Sequence, residues 1–257
     1  MRGSVVVTGG ARGIGRGIAT HLAAESFGVV VLDTAAPADD PPEGVVAVVR
    51  GDAADEATAE AAADSARAWG PLTGWVNNAA VFEDKWLHEE PAQAVLDAVT
   101  RNLAPCLTGS RTAVRSFLWH GIAGSIVNIS SHQAARPVRG CMAYATAKSA
   151  VEAVTRSLAV DYGSNGIRAN ALSLGTIETK RYLSLIARQA DGAEDIPAKM
   201  AGLHALGRVG RIEEVAAAVA FLLSDASAFI TGANIPVDGG RAIFGSDPEA
   251  QRETLQV

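Results

Sequence analysis

The chain has 257 residues, 48% of them hydrophobic and 19% charged, with a formal net charge of −6. An acidic balance without a basic stripe excludes nucleic acid as the main partner, and no apolar run reaches the roughly 18 residues of a membrane span. Two cysteines, Cys106 and Cys141, make neither a disulfide framework nor a metal-ligand cluster, and they suit a reducing, cytoplasmic setting.

Strand and helix signals alternate along the chain, which predicts one α/β domain over residues 1–245 and a polar tail over 246–257. Residues 4–8 form an apolar strand that breaks into Gly9-Gly10-Ala11-Arg12-Gly13-Ile14-Gly15, followed by helical patterning over 14–25. Strand, glycine turn and helix together aim backbone N–H groups at a phosphate, and glycine lets the backbone approach it closely. The spacing is not the G-x-G-x-x-G fingerprint. Residues 29–32 are a second strand ending in Asp33, an acid placed to accept ribose hydroxyls. An acidic, turn-rich loop spans 34–44, and a third strand is expected over 45–49. Asp52 then either caps the helix expected over 55–69 or meets an adenine. Trp75 and Val76 form a short fourth strand that ends in Asn77-Asn78-Ala79-Ala80, amides that can tie loops together. A long helix is expected over 91–119. Asn102 is a poor helix former within it, and Pro105 predicts a kink or local break there.

The apolar run 126–129 ends in Ser130-Ser131, and a helix is expected over 144–162. Tyr144 and Lys148 are four residues apart, so they lie on one helical face. A free tyrosine has a pKa of about 10, and an ammonium within about 4–6 Å favours its phenolate. The pair is therefore able to trade a proton with an alcohol or carbonyl, with Ser131 donating a hydrogen bond to the same oxygen. A sixth strand is expected over 166–172, a mixed polar segment over 180–205, a helix over 211–224 and a seventh strand over 230–237.

Taken together, these motifs resemble the short-chain dehydrogenase/reductase family in its compact one-domain branch, from Val5 to Gly240. The resemblance implies a Rossmann-type doubly wound parallel sheet and hydride transfer between NAD(H) and a secondary alcohol or ketone. It also implies roles for individual residues. Thr8, Gly9, Arg12, Gly13, Ile14 and Gly15 would underlie the adenosine and pyrophosphate. Asp33 would hold the adenosine ribose, Asp52 and Ala53 would border the adenine, and Asn78, Ala79 and Ala80 would line the ribose region. Tyr144 would be the general acid/base. Lys148 would lower its pKa and hold the nicotinamide ribose, and Ser131 would orient the substrate. Asn102 would hold a helix kink and a water in a proton relay. Gly175, Ile177 and Thr179 would contact the nicotinamide end.

The chain departs from the family pattern in three ways. Ala80 replaces the usual glycine, and Leu174 replaces the usual proline before Gly175. Arg12 is of the kind that meets a 2′-phosphate, whereas Asp33 would repel one, so NAD is expected rather than NADP. A homotetramer assembled through the long helices is implied as well. The alternative is a non-catalytic nucleotide-binding scaffold or sensor on the same fold, which would be expected to lack the tyrosine or the lysine. The substrate is expected to meet His132, Gln133, residues 138–142 and 180–205. Arg136, Arg139, Arg181 and Arg188 are candidates for an anionic group, and otherwise are solvated loop charges.

Overall fold

A computed structural model describes residues 3–35, 43–83, 85–188 and 195–245. The expected tail at 246–257 and parts of the loops at 34–44 and 180–205 lie outside them. Seven parallel strands form one sheet: β1 (Ser4–Thr8), β2 (Gly28–Asp33), β3 (Ala47–Arg50), β4 (Leu72–Asn77), β5 (Ser125–Ser131), β6 (Arg168–Leu174) and β7 (Asn234–Val237). Their order is β3-β2-β1-β4-β5-β6-β7. The winding reverses between β1 and β4, and a doubly wound sheet opens a crevice at the carboxyl ends of the strands beside such a reversal.

The helices are α1 (Gly13–Ala24), α2 (Glu56–Trp69), α3 (Ala92–His120), α4 (Met142–Tyr162), α5 (Lys180–Arg188), α6 (Ile196–Ala201) and α7 (Ile212–Leu223). Both sheet faces are covered, and the two-residue period of a strand decides which side chain goes where. Val5, Val7, Val29 and Val31 pack with Ile18 and Leu22 of α1 and Val215 and Val219 of α7. Val6, Val30 and Leu32 face the other way, against Ala59, Ala62 and Ala66 of α2 and Ala113 and Phe117 of α3. Each fully buried valine or leucine contributes about 1.5–3 kcal/mol relative to exposure. The alanine-rich side of α2 lets that helix lie close to the sheet.

A polar chain crosses this second core. Trp75 donates its indole N–H to Asn77 Oδ1 at 2.9 Å, Asn77 Nδ2 donates to Asn128 Oδ1 at 2.8 Å, and Asn128 Nδ2 donates to Thr155 Oγ1 at 2.9 Å. Asn77 also reaches Ser110 Oγ at 3.0 Å, so the chain links β4, β5, α3 and α4. Burying such amides costs several kcal/mol unless they are paired, and here they pair with one another.

Several expected boundaries move for local reasons. β3 begins at Ala47, where it meets Val30. β6 begins at Arg168, because Gly166 is left-handed with φ +77° and still belongs to the preceding turn. β7 is confined to Asn234–Val237. Before it, Asn170 takes the place of a ladder strand, donating to the Ile230 carbonyl at 2.8 Å and accepting the Ala233 N–H at 3.1 Å. The helix break foreseen near Pro105 is absent, and α3 runs through it from Ala92 to His120. The cap of α2 is Asp55, which accepts the Thr58 N–H at 2.8 Å, rather than Asp52.

Candidate active site

The carboxyl ends of β1, β2, β4, β5 and β6 converge on one rim. At the end of β1, the Thr8 hydroxyl acts as a hub. It donates to the Val76 carbonyl at 3.3 Å and accepts the N–H groups of Asn78 at 3.0 Å and Ala79 at 3.1 Å. Asn78 completes the tie by donating to the Thr8 and Gly9 carbonyls at 3.0 and 3.1 Å. The fit is tight enough to require glycine. Gly9 has φ +65°, and a Cβ on Gly15 would fall 2.1 Å from the Gly9 carbonyl oxygen.

The residues of this turn fit a dinucleotide. Arg12 stands at the N-cap of α1 but makes no capping hydrogen bond, and the first turn holds no acid, so the positive helix end is left for an anion. Gly13, with φ +56°, has open space where a side chain would stand. The Asp33 carboxylate is fixed beside the turn, accepting the N–H groups of Ala11 and Ala35, each at 2.9 Å. Asp52 is exposed and accepts the Ala54 N–H at 2.9 Å, while the neighbouring Ala53 is buried. Ile14 packs partly against the core, and Arg12 and Ala80 are exposed.

Across the crevice, Ser131 ends β5 and accepts the Gln133 N–H at 3.2 Å, which starts a short 3-10 turn. The Ser131 hydroxyl stands close enough to the Tyr144 phenol to favour its ionised form. Lys148 is buried, with Nζ 5.5 Å from the centre of the Tyr144 ring. Nζ donates to the Ile129 carbonyl at 2.7 Å. Burial pushes the Lys148 ammonium down to about 8. Burial likewise raises the Tyr144 pKa, against the opposing pull of the Ser131 hydroxyl and then the Arg181 charge. This corrects the expectation that Lys148 lowers the pKa of its neighbour: the ammonium is committed to a backbone carbonyl and desolvation dominates. At neutral pH the phenol keeps its proton, the form required of a general acid.

Asn102 is buried in α3. Its Nδ2 donates to the Ala98 carbonyl at 3.0 Å and its Oδ1 accepts the Val81 N–H at 2.9 Å. The visible effect is to tether the loop after β4, whose Phe82 lies edge-on to Tyr144 with ring centres 5.0 Å apart.

After β6, Gly175 leaves no room for a side chain, since a Cβ would fall 2.8 Å from Asp238 Cα. The side chain of Ile177 joins the first core, and Thr179 Oγ1 accepts the Tyr182 N–H at 3.3 Å as α5 begins. The proline absent at position 174 is offset by two contacts that the sequence did not announce. His204 Nε2 accepts the Thr176 N–H at 3.2 Å, and Arg241 donates to the Thr176 hydroxyl. The Asp238 carboxylate folds Arg241 into place by accepting the Ala242 N–H at 2.8 Å. Neither His204 nor Arg241 lies in a motif. Phe82 was within reach, as an aromatic two residues past the asparagine-alanine run.

The family model described as enoyl-(acyl carrier protein) reductase matches residues 9–242. Among similar proteins, cis-4-hydroxycyclohexanecarboxylate dehydrogenase of Sinomonas cyclohexanicum is 38% identical, covering 91% of this chain and 94% of its own. Glucose 1-dehydrogenase 2 of Bacillus subtilis is 33% identical, covering 96% of this chain and 97% of its own. The solved structure of Thermoplasma acidophilum aldohexose dehydrogenase superposes with a TM-score of 0.84 at 32% identity, covering 96% of this chain and 98% of that one. With its single doubly wound sheet and a serine, tyrosine and lysine gathered at the strand ends, the chain belongs to the short-chain dehydrogenase/reductase family, NAD(P)-dependent oxidoreductases of alcohol and ketone groups.

Proposed function

We propose that Tyr144 is the general acid/base of a reversible, NAD-dependent oxidation of a secondary alcohol. The observation that carries this reading is the gathering of three groups at the strand ends: Ser131 closing β5, Tyr144 partly buried beside it, and Lys148 Nζ 5.5 Å from the centre of the Tyr144 ring. When bound, the dinucleotide supplies the hydride acceptor or donor. In reduction, the protonated phenol gives its proton to the carbonyl oxygen while the Ser131 hydroxyl stabilises the charge growing there. In oxidation, Tyr144 takes the hydroxyl proton as phenolate, a form favoured as pH rises. Lys148 holds the nicotinamide ribose. Asn102 positions the loop that carries Phe82, next to the proton relay that would reach Lys148.

For the cofactor, the uncapped N-terminus of α1 with Thr8, Gly9, Arg12, Gly13, Ile14 and Gly15 would carry the pyrophosphate. Asp33 would take the ribose, and Asp52 and Ala53 would border the adenine. Asn78, Ala79 and Ala80 would line the ribose region, and Gly175, Ile177 and Thr179 the nicotinamide end. NAD is preferred over NADP because two backbone N–H groups pin the Asp33 carboxylate where a 2′-phosphate would meet it. The two buried free cysteines support a cytoplasmic setting. Exposed Leu96, Leu107, Leu118 and Trp119 on α3 and Val160 on α4 support assembly into a homotetramer through these helices.

Tyr144→Phe should lower kcat about a thousandfold while NADH binding, followed by fluorescence titration, stays within a factor of about three. Turnover near that of the parent chain would remove Tyr144 from the chemistry.

A further inference from the structure

Four arginines stand in segments that border the crevice, and the structure separates them. The Arg136 Nη1 is engaged by the carbonyls of Arg241, Ala242 and Phe244 at 2.9–3.3 Å. Arg139 is exposed on the turn before α4, and the side chain of Arg188 lies outside the described residues. Arg181, in the first turn of α5, is different. Its guanidinium carbon sits 4.0 Å from the centre of the Phe82 ring, and Phe82 in turn lies edge-on to Tyr144 at 5.0 Å. No carboxylate pairs with Arg181 among the described residues, and its charge is felt at the Tyr144 oxygen. Phe82 itself is placed by the Val81 N–H bond to Asn102.

A guanidinium stacked on a ring keeps its planar fork of donors free at the edges and loses little freedom when it pairs. A lone, fixed fork of this kind matches a planar monoanion better than a phosphate dianion, which draws on more donors. The Phe82 ring sets the spacing between the guanidinium and the phenol, so the anion and the reacting carbon must lie several bonds apart. We propose that Arg181 binds the carboxylate of the substrate, and that the substrate is a hydroxy or oxo carboxylic acid with its alcohol or ketone remote from the acid group rather than α to it. The proposal rests on the Tyr144 reading above. It adds a second anchor point, which fixes the face of the carbonyl presented to the phenol.

The test compares ketone reduction by NADH for 4-oxocyclohexanecarboxylate and 5-oxohexanoate with that of the corresponding neutral amides and of 2-oxohexanoate, in the parent chain and in Arg181→Gln and Arg181→Lys. The expected result is a preference of the parent chain for the remote oxo acids over their amides. Arg181→Gln should lose roughly 100-fold in kcat/KM on the acids, mostly through KM, with the amides changed less than about threefold. Arg181→Lys should recover part of the loss, since it restores the charge without the fork. Equal losses on acids and amides, or a parent chain that favours the amides or 2-oxohexanoate, would overturn the carboxylate assignment and leave hydride transfer standing. No turnover of any of these ketones by a chain that binds NADH would overturn both readings together.

Discussion

The turn over residues 9–15 and the segment over residues 175–179 stand on the same rim, yet they are held by different means. The first is fixed by main-chain atoms and the short side chains of Thr8, Asn78 and Asp33, all close to regular strands. The second is fixed by His204, Arg241 and Asp238, which arrive from distant, irregular stretches. A site for a cofactor of constant shape can be made from backbone geometry, where every atom is set by neighbours in sequence. A segment held by side chains from elsewhere in the chain can be altered without disturbing the sheet.

The sharpest way to break this contrast is Gly15→Ala. Its Cβ would fall 2.5 Å from Asn78 Nδ2 and 2.1 Å from the Gly9 oxygen, and the second contact can be relieved only by movement of the backbone. The expected cost is about 3 kcal/mol, or about 10 °C in Tm, with NADH affinity reduced at least about 100-fold. An unchanged melting temperature would show that the turn yields as easily as the second segment.

A smaller effect is expected in the second segment. His204→Leu removes the acceptor of the Thr176 N–H but leaves the sheet intact. Losing one such hydrogen bond should raise KM for NADH about tenfold while Tm moves by less than about 4 °C. A fall in Tm as large as that of Gly15→Ala would mean that the segment supports the fold as well as the site.

The smallest effect concerns pH. Burial lowers the His132 pKa to about 4 and also lowers that of His204, while Arg241 opposes protonation of both and Asp238 favours it. The folded pKa values lie below the ordinary histidine value of about 6.5, so between those limits the unfolded chain binds more protons. Stability should therefore fall as pH drops from about 6.5 toward 4, by a few degrees in Tm, and the double variant His132→Gln/His204→Leu should flatten the curve. A parent chain with no slope over this range would mean that both imidazoles titrate as freely as in a peptide.

The same division decides what could be read from the sequence. The glycine turn, Asp33, Ser131 and the Tyr144–Lys148 pair were legible because strand period, helix spacing and turn chemistry are local properties, and the structure places all of them on one rim. The state of Tyr144 was not legible. Spacing gives the neighbour, Lys148, but desolvation, which sets the direction of the shift, depends on how α4 packs against β5. The local break that Pro105 allowed in α3 is absent for a related reason. Pro105 withdraws one donor, but its turn is buried against the sheet, and packing holds the helix together across the gap. His204 and Arg241 left no trace because a single residue in a polar stretch carries no periodicity.

The hydrogen-bonded run from Trp75 to Thr155 has a practical consequence for anyone who redesigns this protein. A slip of one residue between β4 and β5 would turn Asn77 and Asn128 onto opposite sides and break the hydrogen bond between them. The run therefore works as an alignment key that holds Asn77 opposite Asn128. New specificities can be grafted by rewriting the exposed side chains of α5, provided these few interior amides and hydroxyls are left untouched.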